Sequence, residues 1–245
     1  MKSGKNVIVE HFRSLSFLKG NVVVKEIHPY IYPSFVLKIV EGEIEKETKN
    51  NISEVECHIN TLLFSENNYE VLTGYLSVIF WGFLGNSKND SVNFGRAFAK
   101  VINTGYIRNA NGKESRDCEG VFNIEEKELK EIKAKIKTII SLVKQRKYNE
   151  AVKKAITLKG LGFSFATKLI MFIDPDNCGV LDSVIAQKLT HVEILKTSGY
   201  ITNSQENTEV YQKYCLWLQD TSKKIEENLL KRAVDVERYL FYEID

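Results

Sequence analysis

The sequence predicts a mostly α fold with some β structure near the N-terminus. Three observations lead there. β-branched and aromatic runs interrupted by proline stand at the front of the chain. From about residue 57 onward apolar residues recur at intervals of three and four. The stretch Leu158–Ile173 reads as helix, tight hairpin, helix. At 245 residues, 43% hydrophobic and 27% charged, the chain can bury a large core. No repeat or low-complexity tract divides it. A single composite domain over 1–245 is the economical reading, with a mixed part at 1–56 and a helical part at 57–245.

In order along the chain, Asn21–Lys25 and Ser34–Val40 read as strands, with Pro29 and Pro33 breaking the segment between them. Glu41–Glu56 is polar and charged, a loop or an exposed helix start. Helical patterns follow at Ile59–Leu63 and Tyr69–Leu84. Asn86–Gly95 is a loop by composition, Arg96–Thr104 resumes a helix, and Arg108–Asp117 is a second exposed loop. The rest is almost entirely helical in pattern, ending in a long segment at about Val210–Tyr242.

The hairpin carries the first functional signal. Leu158, Leu161, Phe165, Leu169, Ile170 and Ile173 fall on one helical face, and Pro175 stops the run. Gly160 and Gly162 stand where one helix ends and another begins, where glycine accepts positive φ and lets another molecule approach the backbone. The second helix opens with N–H groups that lack intrahelical partners, which makes it a seat for phosphate. Turning the chain is the plainer use of such a hairpin. From Lys127 to Lys159 there are eleven Lys or Arg against three Glu, a local charge of +8 in a chain of net charge +2, and this run leads straight into the hairpin. Leu129, Ile132, Ile136, Ile139, Ile140 and Val143 give the same stretch a core stripe, so one face is buried while the other meets water or phosphates.

Asp182 follows twenty residues after Gly162. Its simplest role is an N-cap. The spacing also lets the hairpin's second helix run out, turn at Asp174–Asn177 and return, bringing the carboxylate to the mouth of the hairpin. Ser164 and Lys168 are four residues apart, on one helical face. A lysine behind a phosphate seat and a carboxylate at the next helix start form an amine and acid pair, although a lone helical lysine is more often solvated.

These residues carry a family resemblance. The stretch LKGLGFSFATKLIMFIDP and the following GVLDSVIAQKL resemble the helix-hairpin-helix DNA glycosylase superfamily. Together with RAVDVERYLFY at Arg232–Tyr242 they are similar to bacterial 8-oxoguanine DNA glycosylase-like proteins. The resemblance covers the last half of the chain well and the first hundred residues poorly. It implies a helix-hairpin-helix glycosylase fold and a DNA N-glycosylase, with or without AP lyase activity. Its substrate is DNA containing a modified base, with Lys159, Gly160, Gly162 and Ser164 as DNA contacts and Asp182 as the catalytic aspartate. Bifunctional relatives carry a lysine two residues past the second glycine, where this chain has Ser164. Lys168 lies on the same face one turn later. Two mechanisms stay open: water attack with Asp182 stabilising the sugar cation, or amine attack by Lys168 through a Schiff base.

A glycosylase must also hold the extruded base between aromatic or apolar walls. Gly74–Gly85 supplies aromatics, of which Tyr75 and Trp81 are the expected walls, although such a stripe more often belongs to a core. No cofactor or metal is expected: Cys57, Cys118, Cys178 and Cys215 fit neither a zinc ribbon nor an iron–sulfur loop, and His11, His28, His58 and His191 show no ligand spacing. Carboxylates at metal-binding spacing are not visible, which disfavours a nuclease. The N-terminal MKSGKNVIVEHF has no apolar core for a signal peptide, and Tyr75–Leu84 is too short to span a bilayer. A cytoplasmic monomer with reduced thiols is expected. The competing class is a non-catalytic helix-hairpin-helix DNA-binding protein, which needs no cleft between Asp182 and the hairpin.

Overall fold

The computed structural model describes residues 33–84, 90–189, 193–224 and 230–243. The strand expected at Asn21–Lys25 lies outside them, as do His11, His28, His191 and the first residues of the loop expected at Asn86–Gly95. The described chain is mostly helical with a small antiparallel sheet toward its front, as the sequence predicts. Two compact units divide it: a sheet unit of Tyr30–Ser141 and Lys154–Leu161, and a cleft unit that contains Leu142–Lys153 and Gly162–Asp245.

In the sheet unit, β1 (Phe35–Val40) and β2 (Glu43–Thr48) form a hairpin in which Phe35 faces Thr48 and Val40 faces Glu43. Its two-residue turn, Glu41–Gly42, has both φ angles positive, at 50° and 86°, the geometry that matches strand twist. With β3 (Ile107–Asn109) and β4 (Glu119–Phe122) the sheet order is β1-β2-β4-β3. The expectation of a loop or helix start across Glu41–Glu56 is therefore corrected in its first part, which holds β2, while its end does start a helix, α1 (Ile52–Leu63). Within β2 only Ile44 is buried, so no alternation of apolar residues marked it; the turn and pairing to β1 specify it instead.

α2 (Asn68–Leu84) is buried on nearly every side and forms the centre of this unit, as an all-round apolar helix must. It ties to β1 through Ser77, whose Oγ accepts from the Leu37 amide at 3.1 Å. α3 (Asp90–Ile102) corrects the loop expected through Gly95. Phe94 explains the difference: its ring lies edge-on to Phe35 at 4.6 Å and 6.5 Å from Phe80, and that packing overrides the polar composition around it. The loop expected at Arg108–Asp117 is likewise narrowed, since Arg108 and Asn109 belong to β3 and Ser115–Asp117 to a short 3-10 turn. On α4 (Glu126–Lys144) all six residues of the expected core stripe are buried, and Lys127, Lys130, Lys137 and Lys144 face solvent.

The cleft unit takes the start of α5 (Tyr148–Ala155), then α6 (Phe163–Ile173), α7 (Ser183–Lys188), a minimal hairpin of β5 (Lys196–Thr197) and β6 (Tyr200–Ile201), α8 (Gln205–Lys224) and α9 (Ala233–Glu243). The single long helix expected at Val210–Tyr242 is two helices, and β5–β6 interrupts the expected helical run. The turn after α6 falls where Asp174–Asn177 predicts it, with the Cys178 amide donating to the Asp174 carbonyl at 2.9 Å. α9 anchors on that turn through Ala233 N to Asp176 O, 3.0 Å, and Val234 N to Pro175 O, 3.1 Å. Gln219 of α8 donates to the Asn177 carbonyl and to the Tyr148 hydroxyl at 2.9 and 3.0 Å.

Candidate active site

Gly160 and Gly162 serve different ends. Gly160 has φ +82°, which a side chain rarely tolerates, and it makes the turn. Gly162 has φ −88° and is the N-cap of α6, with no side-chain cap. A Cβ at Gly162 would meet nothing within 4 Å. Neither backbone strain nor internal packing demands glycine there, and the space in front of it is open.

Lys168 and Asp182 come together in the cleft unit. Lys168 projects from α6 with its side chain 9% exposed, and its Nζ lies 3.2 Å from Asp182 Oδ2, whose side chain is 23% exposed. The other oxygen of Asp182 accepts from the amides of Val184 and Ile185 at 3.0 and 3.2 Å, capping α7. One carboxylate thus serves as both cap and ion-pair partner. Burial pushes its pKa up, but the charge of Lys168, the Ile185 amide, the Lys168 hydrogen bond and the Val184 amide together outweigh that and hold it below the ordinary aspartate value.

Thr167 fixes the distance between the two elements. Its hydroxyl accepts from the Leu181 amide at 3.1 Å and lies 2.9 Å from the Ser164 carbonyl, so α6 is tied to the residue preceding Asp182. Tyr211 of α8 supports the same segment by donating to the Gly179 carbonyl at 3.0 Å. At Gly179 a Cβ would come within 2.6 Å of Leu218 Cδ1 and 2.8 Å of Glu237 Cβ, so only glycine lets this connecting segment pass between α8 and α9. Nothing in the pattern around Thr167, Gly179 or Tyr211 announces these roles.

An open cleft of about 570 Å³ contains the pair, lined by Gly162, Ser164, Phe165, Lys168 and Asp182 on one side and by Thr197 and Tyr200–Asn203 on the other. That size suits a small-molecule or nucleotide moiety. Of the residues expected to act, Gly162, Ser164, Lys168 and Asp182 share this cleft. Lys159 and Gly160 belong to the sheet unit, where the Lys159 Nζ lies 5.0 Å from the Tyr106 ring centroid and its carbonyl accepts from the Tyr75 hydroxyl. Tyr75 and Trp81, expected as base-pocket walls, are buried side chains of the sheet unit, 0% and 2% exposed, and do not line this cleft. Among the described residues no group of three His, Cys, Asp or Glu is placed to hold a metal ion, the four cysteines are free thiols, and no helix is long and apolar enough to cross a membrane.

A protein-family model described as "Putative 8-oxoguanine DNA glycosylase OGG-like protein" matches residues 65–241, a span that contains every candidate residue named above. No curated protein and no solved structure matches the chain.

Proposed function

The chain belongs to the family of 8-oxoguanine DNA glycosylase-like proteins, and from that premise we propose that it releases a modified base from DNA at the Lys168–Asp182 cleft. The observation that carries this reading is the 3.2 Å pair itself, an amine and a carboxylate facing one cavity beside the open N-terminus of α6. Phosphate approaching Gly162 would meet unpaired amides and the positive end of the helix dipole. The sugar of the extruded nucleotide would then lie within reach of both groups.

In the amine route Lys168 passes a proton to Asp182 along their hydrogen bond, and Nζ bonds to C1′ of the sugar. The glycosidic bond breaks with its electron pair leaving on the base, which takes up a proton. The Nζ lone pair then forms the C1′=N bond as the C1′–O4′ bond breaks with its pair on O4′; O4′ takes up a second of the three Lys168 protons, relayed by Asp182, and the protonated Schiff base keeps the third. In the water route Asp182 stabilises positive charge on the sugar while water attacks, and Lys168 positions the carboxylate. The amine route is favoured here because the buried lysine reaches the cleft from the same face as Ser164, which stands where bifunctional relatives carry their lysine.

Borohydride trapping on duplexes carrying single modified bases, 8-oxoguanine among them, tests both routes. A covalent protein–DNA adduct in the parent that disappears in Lys168→Gln supports amine attack. Base release that persists in Lys168→Gln with no adduct identifies the water route. Duplex binding with no base release on any lesion leaves a non-catalytic binding protein and ends the enzyme reading.

A further inference from the structure

We infer that Tyr200, at the tip of the β5–β6 hairpin, is a stacking platform for an unpaired nucleobase held over the Lys168–Asp182 pair. The inference rests on the reading of this cleft as a nucleic-acid site, and it supplies the aromatic wall that Tyr75 and Trp81 do not.

Tyr200 lines the cleft and is 78% exposed; among the described residues the next most exposed large apolar side chain is Leu216, at 45%. Its side chain has no hydrogen-bond or ring partner among the described residues, whereas the buried Tyr211 donates to a carbonyl and even the exposed Tyr69 packs its ring on Phe122. A single exposed aromatic needs no explanation by itself. This one is held in place by a dedicated device.

The hairpin has two residues per strand and a two-residue turn, Ser198–Gly199, with φ of 51° and 81°. So short a ribbon is marginal alone. Asn207 of α8, 1% exposed, clamps both of its roots. Asn207 Oδ1 accepts from the Leu195 amide at 2.9 Å, while Nδ2 donates to the carbonyls of Leu195 and Thr202 at 2.8 and 2.9 Å and lies 3.0 Å from Thr202 Oγ1. The Thr202 amide closes the base by donating to the Leu195 carbonyl at 3.0 Å. A buried amide with its capacity satisfied fixes a hairpin whose tip carries one solvated ring beside the catalytic pair. Every base has a π-face, so such a ring takes an unstacked base of any sequence. Phe165, half-buried on α6 and 5.4 Å from the Lys168 Nζ, lines the same cavity.

The test compares affinities for two duplexes that differ at one position: a single unpaired thymidine, or a reduced abasic residue in its place. Tyr200→Ala weakens binding to the thymidine duplex about tenfold, equivalent to about 1.4 kcal/mol of stacking, and changes the abasic duplex by less than about twofold. Tyr200→Phe keeps both affinities. Equal loss on both ligands, loss on neither, loss in Tyr200→Phe, or a parent with no affinity for either duplex overturns the inference. No chemistry is needed for this measurement. Base release without any Tyr200 effect therefore removes the platform alone, and a thymidine-specific Tyr200 effect without base release removes the enzyme reading alone.

Discussion

Asp182→Asn separates the two duties of one carboxylate. Asparagine caps helices as well as aspartate does, so its amide oxygen keeps the bonds from Val184 and Ile185 that Oδ1 accepts at 3.0 and 3.2 Å. What is lost is the attraction across 3.2 Å to Lys168. Unit charges at about 4 Å attract by about 4 kcal/mol in a surrounding of effective dielectric constant near 20. Part of that is already offset by the cost of burying both charges, and the Asp182 side chain is 23% exposed, so the net loss is about 1–2 kcal/mol. For a chain of this size that lowers Tm by roughly 2–8 °C. Base release falls much further, by about 10²–10³, because the carboxylate either takes the Lys168 proton in the amine route or stabilises the developing sugar cation in the water route. Asp182→Ala loses the cap as well, at a further cost of about 1 kcal/mol in stability, yet it should release base no more slowly than Asp182→Asn. Thermal melts and single-turnover base release on the competent lesion duplex read both quantities. Asp182→Asn releasing base within tenfold of the parent would refute the reasoning and leave the carboxylate a cap.

Gly162→Leu meets no clash at its Cβ and should cost only about 1 kcal/mol in stability as a poorer N-cap, yet should weaken binding to every duplex sequence alike; sequence-dependent loss in a gel-shift or anisotropy series contradicts phosphate seating at this glycine. Parent binding should fall steeply with salt, with a log–log slope near the number of phosphates neutralised. Gly179→Ala forces a carbon against Leu218 and Glu237 and should cost about 1–3 kcal/mol in urea unfolding, and unchanged stability would show that α8 and α9 yield there. Asp182 has a folded pKa below its unfolded one. Its contribution is therefore complete above the unfolded value near 4 and is lost as pH falls through the folded value. The stability gap between parent and Asp182→Asn should be constant above about pH 5 and narrow below about pH 4, and a gap that widens on acidification would reverse the sign of the coupling.

Helices were legible where burial writes a period into the chain, as in the stripe of α4 and the hairpin leading into α6, or where the apolar run is long enough to need a helix buried on all sides, as in α2. β2 was not, because one inward side chain gives no alternation, and of α3 only the part from Arg96 was, because its start depends on Phe94 meeting Phe35 from a distant strand. The candidate site divides in the same way. Lys168 and Asp182 could be paired from helical spacing and the expected turn. Thr167 and Asn207 could not, since each matters through a hydrogen bond to backbone that only the fold brings near. Ser198–Gly199 is a turn signal in the sequence, but strands of two residues carry no period to go with it. Tyr75 and Trp81, both buried, show that aromatic richness looks the same in a core as in a binding wall.

The route of the chain bears on how this protein can be taken apart. Leu142–Lys153 lies in the cleft unit, Lys154–Leu161 in the sheet unit, and Gly162 opens the cleft unit again. Neither unit is therefore a contiguous stretch of polypeptide, and no single cut yields both intact. A fragment beginning at Gly162 keeps Lys168, Asp182 and Tyr200 but loses Tyr148, whose hydroxyl accepts from Gln219. A cleft unit moved to another chain has to carry the intervening eight residues along, and because Ala155, Leu158 and Leu161 among them are buried, that stretch leaves little room for insertion.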